Sequence, residues 1–239
     1  MQKMLSYVRR AVDQYHMIED GDVIAVGVSG GKDSLALLAT LANLRRFYPK
    51  KFELKAITLE MGYEEMDFTP VAELCKKLDV EYITRQTDIK TIVFDIRQEE
   101  NPCSLCAKMR RGALNDTAKQ CGCNKVALGH HQDDVIVTFL MNLTYEGSLH
   151  SITPSMPMRH YPLTVIRPLY LAPEPLIREL AVSLGLAKQK TPCPYETATK
   201  RDAMTQVFET LQRHNAEARY SIWSALRGRE GGADPHDAD

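Results

Sequence analysis

The sequence predicts an α/β protein built on a parallel sheet with helices on both faces. Three observations carry this. Short apolar runs of strand length alternate with amphipathic segments of helix length. The apolar runs are continuous, as strands buried on both sides require. The two most unusual polar strings, SGGKDS and GHHQDD, each follow such a run, at the carboxyl edge where parallel sheets bind ligands.

The elements follow in order. Residues 1–18 read as an amphipathic helix with Leu5, Val8, Val12 and Tyr15 on one stripe. They lack the apolar core and small-residue cleavage site of a signal peptide. Residues 23–28 (VIAVGV) read as the first strand. Residues 33–47 read as a helix, with Leu35, Leu38, Leu41 and Leu44 along one face and Asp33 and Ser34 suited to its start. Strands are expected at 53–59, 80–84 and 125–129, and helices at 70–78, 104–120 and 132–144. Repeated strand–helix units of this size imply a parallel sheet with right-handed crossovers.

The stretch 148–175 holds Pro154, Pro157, Pro162, Pro168, Pro173 and Pro175, and reads as loops around one short strand near 164–167. Residues 174–184 and 202–227 read as helical. The expected organisation is a main domain over 1–190 that includes the N-terminal helix, a small C-terminal helical element over 191–229, and a disordered acidic tail over 230–239.

Composition narrows the function classes. A chain of 239 residues is long enough for one good core. The formal net charge of −1 carries no global signal for nucleic acid, although a neutral protein can present one basic face. No apolar run approaches the roughly 18–20 residues of a membrane span, so a cytoplasmic protein without a membrane partner is expected. The six cysteines, Cys75, Cys103, Cys106, Cys121, Cys123 and Cys193, then read as thiols, metal ligands or catalytic groups rather than disulfides.

The sharpest motif is Ser29-Gly30-Gly31-Lys32-Asp33-Ser34, directly after a strand and opening a helix. Glycines let the backbone turn tightly and approach a ligand. The helix start offers unpaired N–H groups and a positive dipole end. Ser29 and Ser34 add hydroxyl donors, Lys32 adds a positive charge, and Asp33 can hold magnesium or cap the helix. The spacing is neither that of the Walker A loop nor that of the dinucleotide fingerprint. The bland alternative is a glycine turn with no ligand.

In Gly129-His130-His131-Gln132-Asp133-Asp134, two adjacent carboxylates open a helix, which suits either magnesium or helix capping. Glu60 ends the second strand at the same carboxyl edge. Cys103-Ser104-Leu105-Cys106 supplies two of the usual four metal ligands, so the pair reads as part of a metal site, as a redox dithiol, or as idle thiols. Cys193 is the natural third ligand. Cys75 reads as a buried small hydrophobe, and Cys121 and Cys123 as packing or surface thiols. Lys108, Arg110 and Arg111 follow the pair on the same helix. With Arg167, Lys188, Lys190, Lys200 and Arg201, they form either an RNA-facing surface or a solvated one.

SGGKDS resembles the PP-loop of the N-type ATP pyrophosphatases. With PCSLCAKMRRGAL, NKVALGHHQDD, IRPL and a later PC, the chain from about residue 15 to 227 resembles the tRNA 2-thiocytidine synthetase family. The resemblance implies a PP-loop ATPase domain that binds ATP with magnesium (Mg2+) through Ser29, Gly30, Gly31, Lys32, Asp33, Ser34, Glu60, Gly129, His131 and Asp134. It implies a 4Fe-4S cluster on Cys103, Cys106 and Cys193, tRNA as substrate with cytidine 32 as the target, a sulfur donor (sulfide or a cysteine desulfurase), and a homodimer. Two positions depart from the family pattern. Glu60 stands where such enzymes often have Asp, and Pro194-Tyr195-Glu196 follows Cys193 where a second cysteine is often found. Other readings on the same scaffold are a uridine thiolase, a lysidine-type synthetase, an amidating enzyme, or a non-catalytic ATP- or RNA-binding module.

Overall fold

The computed structural model describes residues 1–63, 66–97, 102–186, 193 and 199–230. Six strands form one sheet: β1 (Asp22–Gly27), β2 (Phe52–Glu60), β3 (Glu81–Gln86), β4 (Lys125–Ala127), β5 (Ser155–Pro157) and β6 (Thr164–Ile166). Their spatial order is β3-β2-β1-β4-β6-β5. All pairs are parallel except β5 with β6. The chain runs outward from β1 through β2 to β3, then returns to place β4 on the other side of β1. This reversal is the topological switch point at which open α/β sheets hold ligands. SGGKDS leaves β1 there and Gly129-His130-His131 leaves β4.

The helices are α1 (Gln2–Gln14), α2 (Lys32–Arg45), α3 (Thr69–Leu78), α4 (Pro102–Gln120), α5 (Gln132–Met141), α6 (Glu174–Ser183), α7 (Lys200–His214) and α8 (Ala218–Glu230). Alternation along β1 shows why the sheet needs cover on both faces. Ala25 shares a core cluster with Ala118 of α4, Val126 and Ile57, while Ile24 and Val26 on the opposite face are equally sealed from solvent. Helix α2 is buried nearly all round, from Ser34 through Ala42 and at Leu44, and it packs against β1, β2, α1 and α6. A helix apolar on every side belongs inside a core.

The chain forms two compact units. One comprises Met1–His131 and Thr153–Pro194 and contains the whole sheet. The other contains α5, α7 and α8, so α5, counted with the sheet domain in the sequence reading, groups with the C-terminal helices. No helix among the described residues is long and apolar enough to cross a membrane.

Several local expectations change. The buried stripe of α1 is Met4, Val8, Ala11 and Val12, with Leu5 and Tyr15 only partly covered. The helix expected over 202–227 is two helices. Asn215 is extended, and its side chain accepts the Glu217 N–H at 3.0 Å, a local turn that competes with helix continuation. Thr199 starts α7 with a reciprocal capping box to Asp202. Strand β5 stands where the sequence predicts a loop, because Pro154 and Pro157 conceal it. An edge position tolerates proline, since the missing N–H falls on the unpaired side. Residues 91–97 and 142–146 form short π-helical segments that apolar spacing did not reveal. The tail 231–239 lies outside the described residues.

Candidate active site

β1 ends at Gly27 and α2 begins at Lys32, so four residues make the turn. The turn is tied to β2. Val28 N–H donates to the Ile57 carbonyl at 2.8 Å, and Thr58 Oγ1 donates to the Val28 carbonyl at 2.8 Å. Gly30 has φ +80, a conformation that glycine adopts without steric cost. The two serines brace the loop from within. Ser34 Oγ donates to the Gly31 carbonyl at 2.9 Å and accepts the Ser29 N–H at 3.2 Å; Ser29 Oγ lies 3.3 Å from Ser34 Oγ. Gly31, at the N-cap, has no side chain to cover the helix end. The first-turn N–H groups and the positive dipole end of α2 are therefore open to an anion.

The charges around the loop form a chain. Lys32 Nζ is 2.8 Å from Asp33 Oδ1 and 3.2 Å from Glu174 Oε1. Burial alone would lower the Lys32 pKa. The hydrogen bond and charge of Asp33, with those of Glu174, outweigh it and hold the ammonium above its ordinary value. Glu174 shows the complementary balance. Burial would raise it, but Arg178, at 2.9 Å from both carboxylate oxygens, and Lys32 keep it below the ordinary range. His131 is buried, with Nε2 3.7 Å from Asp33 Oδ1. Gly129 meets the loop backbone: a Cβ there would stand 3.1 Å from the Asp33 carbonyl carbon and 3.2 Å from Ser34 N. The ends of β1 and β4 thus touch at the switch point.

In the helical unit, Asp134 pairs with Arg201 at 2.5 Å and Asp133 pairs with Arg219. Lys200 lies over the Tyr145 ring, 4.9 Å from its centroid. Arg167, in the sheet unit, donates to the Thr153 carbonyl at 2.6 Å and to His130 Nδ1 at 3.3 Å, and burial lowers its pKa. Arg167 and Arg201 are therefore engaged by the protein itself, where the sequence leaves them open between an RNA-facing and a solvated surface. Lys108, Arg110 and Arg111 are exposed on α4. Lys188 and Lys190 lie outside the described residues.

At the carboxyl ends of β2 and β3 a cavity of about 750 Å³ is lined by Glu60, Tyr63, Phe68, Tyr82, Gln86 and Asp88, among others. Aromatic walls with a few convergent polar groups suit a planar ligand. Tyr63 links this cavity to the thiols. Burial raises its pKa, and a hydrogen bond with Cys193 and the charge of Cys106 add to the shift, while Arg110 opposes it. Cys106, half-buried, is raised by burial and by Cys193 and Cys103, again against Arg110 one turn along α4. Cys106 thus stands within electrostatic reach of both Cys103 and Cys193. Cys75 and Cys123 are buried and pushed up to about 11, as expected of packing thiols.

The PP-loop domain family matches residues 4–187. The tRNA-cytidine(32) 2-sulfurtransferase of Citrifermentans bemidjiense is 37% identical over 222 residues, covering 92% of this chain and 87% of that protein. The chain belongs to the PP-loop family of tRNA-cytidine(32) 2-sulfurtransferases. The family member from Pelobacter propionicus is 38% identical over 222 residues, covering 92% of this chain and 82% of its own. A solved structure, the U34-tRNA thiolase NcsA from Methanococcus maripaludis with its 4Fe-4S cluster, superposes with a TM-score of 0.77 at 25% identity, covering 98% of this chain and 79% of that one.

The thiols fit a cluster of this kind by donor chemistry, since three cysteines are soft ligands of the type that iron–sulfur centres take. Among the described residues no three His, Cys, Asp or Glu side chains converge to hold a single metal ion. A four-iron cube does not ask for that convergence, because its ligands bind separate irons at separate corners. The sequence reading missed Tyr63, Glu174 and Thr58. None stands in a motif; only strand adjacency and the start of α6 bring them to the site.

Proposed function

We propose that the chain is an ATP-dependent tRNA-thiolating enzyme that adenylates the C2 oxygen of cytidine 32 and replaces it with sulfur. One observation carries the reading. The braced Ser29–Ser34 loop and the aromatic cavity both arise at the carboxyl edge of one sheet, and Tyr63 of that cavity stands within reach of Cys106 and Cys193.

In this reading the β,γ-phosphates of ATP occupy the loop formed by Ser29, Gly30, Gly31, Lys32, Asp33 and Ser34. Lys32 stabilises the departing pyrophosphate and Asp33 would hold Mg2+, which would supply further positive charge there, with His131 as a further neighbour of ATP. Gly129 keeps the loop in place. Glu60 and the cavity receive a planar base. The C2 oxygen attacks the α-phosphorus, pyrophosphate leaves, and the oxygen becomes part of a good leaving group. Sulfide then attacks C2, and AMP departs with that oxygen, so no net redox change occurs. Cys103, Cys106 and Cys193 would hold the cluster, which supplies the sulfide when bound. The target base must be unstacked, which favours an anticodon-loop nucleotide over a duplex one. We further propose a cytoplasmic homodimer served by sulfide or by a cysteine desulfurase.

The test is anaerobic reconstitution with iron and sulfide, reaction with tRNA, ATP and Mg2+, and mass spectrometry of the nucleosides. The expected product is 2-thiocytidine at position 32. Thiouridine at position 34 instead would favour the second reading, a uridine thiolase, which the likeness to NcsA supports. A product without sulfur would overturn both.

A further inference from the structure

The loop lysine is held from outside its motif. Lys32 is the first residue of α2 and Glu174 the first residue of α6, and these helices pack side by side. Their starts bring the Lys32 ammonium to 3.2 Å from Glu174 Oε1. Glu174 is itself fixed. Pro173 sets the entry into α6 with φ −74, Arg178 grips both carboxylate oxygens from one turn along, and the dipole at the start of α6 favours a carboxylate there. Its side chain is only 22% exposed. Lys32 alone is a point charge on a flexible four-carbon stem. Its other partner, Asp33, moves with it in the chain and is shared with His131.

We propose that Glu174 is a positioning residue of the phosphate loop, holding the Lys32 ammonium in the orientation that meets the β,γ-phosphates of ATP. The assignment rests on the adenylating function proposed above. Glu174 touches no reacting atom; it acts through Lys32, and Arg178 acts through Glu174. Losing the carboxylate releases the lysine stem into alternative rotamers, so the cost falls on the transition state more than on ground-state binding.

The experiment is a double-mutant cycle with Glu174→Gln, Lys32→Ala and the pair, read by tRNA-dependent ATP–pyrophosphate exchange. Glu174→Gln is expected to lower kcat about tenfold while KM for ATP changes less than about threefold. In the Lys32→Ala background the same substitution should change kcat less than about twofold, because the group it positions is gone. Glu174→Asp should restore part of the rate. Equal losses in both backgrounds, or no loss in the parent, overturn the proposal. Should Glu174→Gln fail to fold, Arg178→Gln enters the same cycle with a loss of about threefold that must also vanish without Lys32. Calorimetric ATP binding repeats the cycle without turnover: Glu174→Gln should weaken binding about two- to threefold in the parent and not at all in the Lys32→Ala background. A parent protein that binds ATP with the expected coupling but shows no exchange would sink the proposed function and leave this inference standing.

Discussion

Gly129 lies with its open side against the backbone of Asp33, so close that a methyl group there would stand 3.1 Å from the Asp33 carbonyl carbon. Backbone on backbone has no side chain to give way. Gly129→Ala is therefore expected to cost about 1–3 kcal/mol of stability by overpacking, and to weaken ATP binding by at least about tenfold through displacement of the loop. A Cβ on Gly112, within α4, would meet nothing among the described residues within 4 Å beyond its own stretch of helix. Gly112→Ala should stabilise by about 0.5–1 kcal/mol through helix propensity. Denaturant melts and calorimetric titration of both variants check the pair; similar behaviour of the two would contradict the close approach.

Replacing Cys103, Cys106 or Cys193 by Ala should separate the two halves of the chemistry. Each variant is expected to lose iron on anaerobic reconstitution and to lose thiolation while leaving ATP binding intact. Iron analysis and nucleoside mass spectrometry provide the readouts. Thiolation by Cys103→Ala would remove the cluster from the mechanism.

The thiols should also differ in reactivity with pH. Burial pushes Cys75 and Cys123 up to about 11, so below that pH both stay largely protonated, and the thiolate is the form that reacts. In the metal-free protein at pH 8, alkylation should reach the exposed Cys103 first and spare Cys75 and Cys123 until the chain unfolds. Raising the pH from 8 to 10 raises the Cys75 thiolate fraction about a hundredfold, yet its burial should keep its labelling slower than that of Cys103. Peptide mapping after timed labelling decides this, and labelling of Cys75 as fast as Cys103 at pH 8 would contradict its burial.

At the opposite edge of the sheet, Lys125 pairs with Asp22 at 2.7 Å and donates to the Met17 carbonyl at 2.8 Å, with both ionic groups buried. Lys125→Met leaves Asp22 with the Asn124 amide at 2.8 Å and the Glu19 N–H at 2.6 Å, but with no counter-charge. A loss of about 3 kcal/mol is expected, at the lower end for a broken buried pair. ATP affinity should not change, since the pair stands at the amino ends of β1 and β4. An altered affinity at full saturation of folding would show that the two edges are coupled.

Much of this was readable from residues alone. Continuous apolar runs place β1, β2 and β4, because strands buried on both faces leave an unmistakable pattern, and the glycine and serine spacing of SGGKDS marks the tight β1–α2 turn. What stayed hidden depends on long-range geometry. Glu174 lies 142 positions from Lys32 and sits in an ordinary helix start. Tyr63 becomes relevant only because Cys193 is folded beside it. Asp133 and Asp134 were legible as helix-opening carboxylates, yet nothing local reveals that arginines from α7 and α8 neutralise them. The break at Asn215 was in principle visible, since Asn competes with its own backbone, but apolar spacing on both sides conceals it.

Helix α2, enclosed along most of its length, makes the phosphate loop a fixed post rather than a swinging arm. Nucleotide arrival cannot tilt the helix without opening the interior, so around α2 a loaded protein should differ from an empty one by side-chain rearrangement alone. Amide hydrogens along Leu35–Ala42 should therefore exchange with solvent only on global unfolding, whether or not ATP is present.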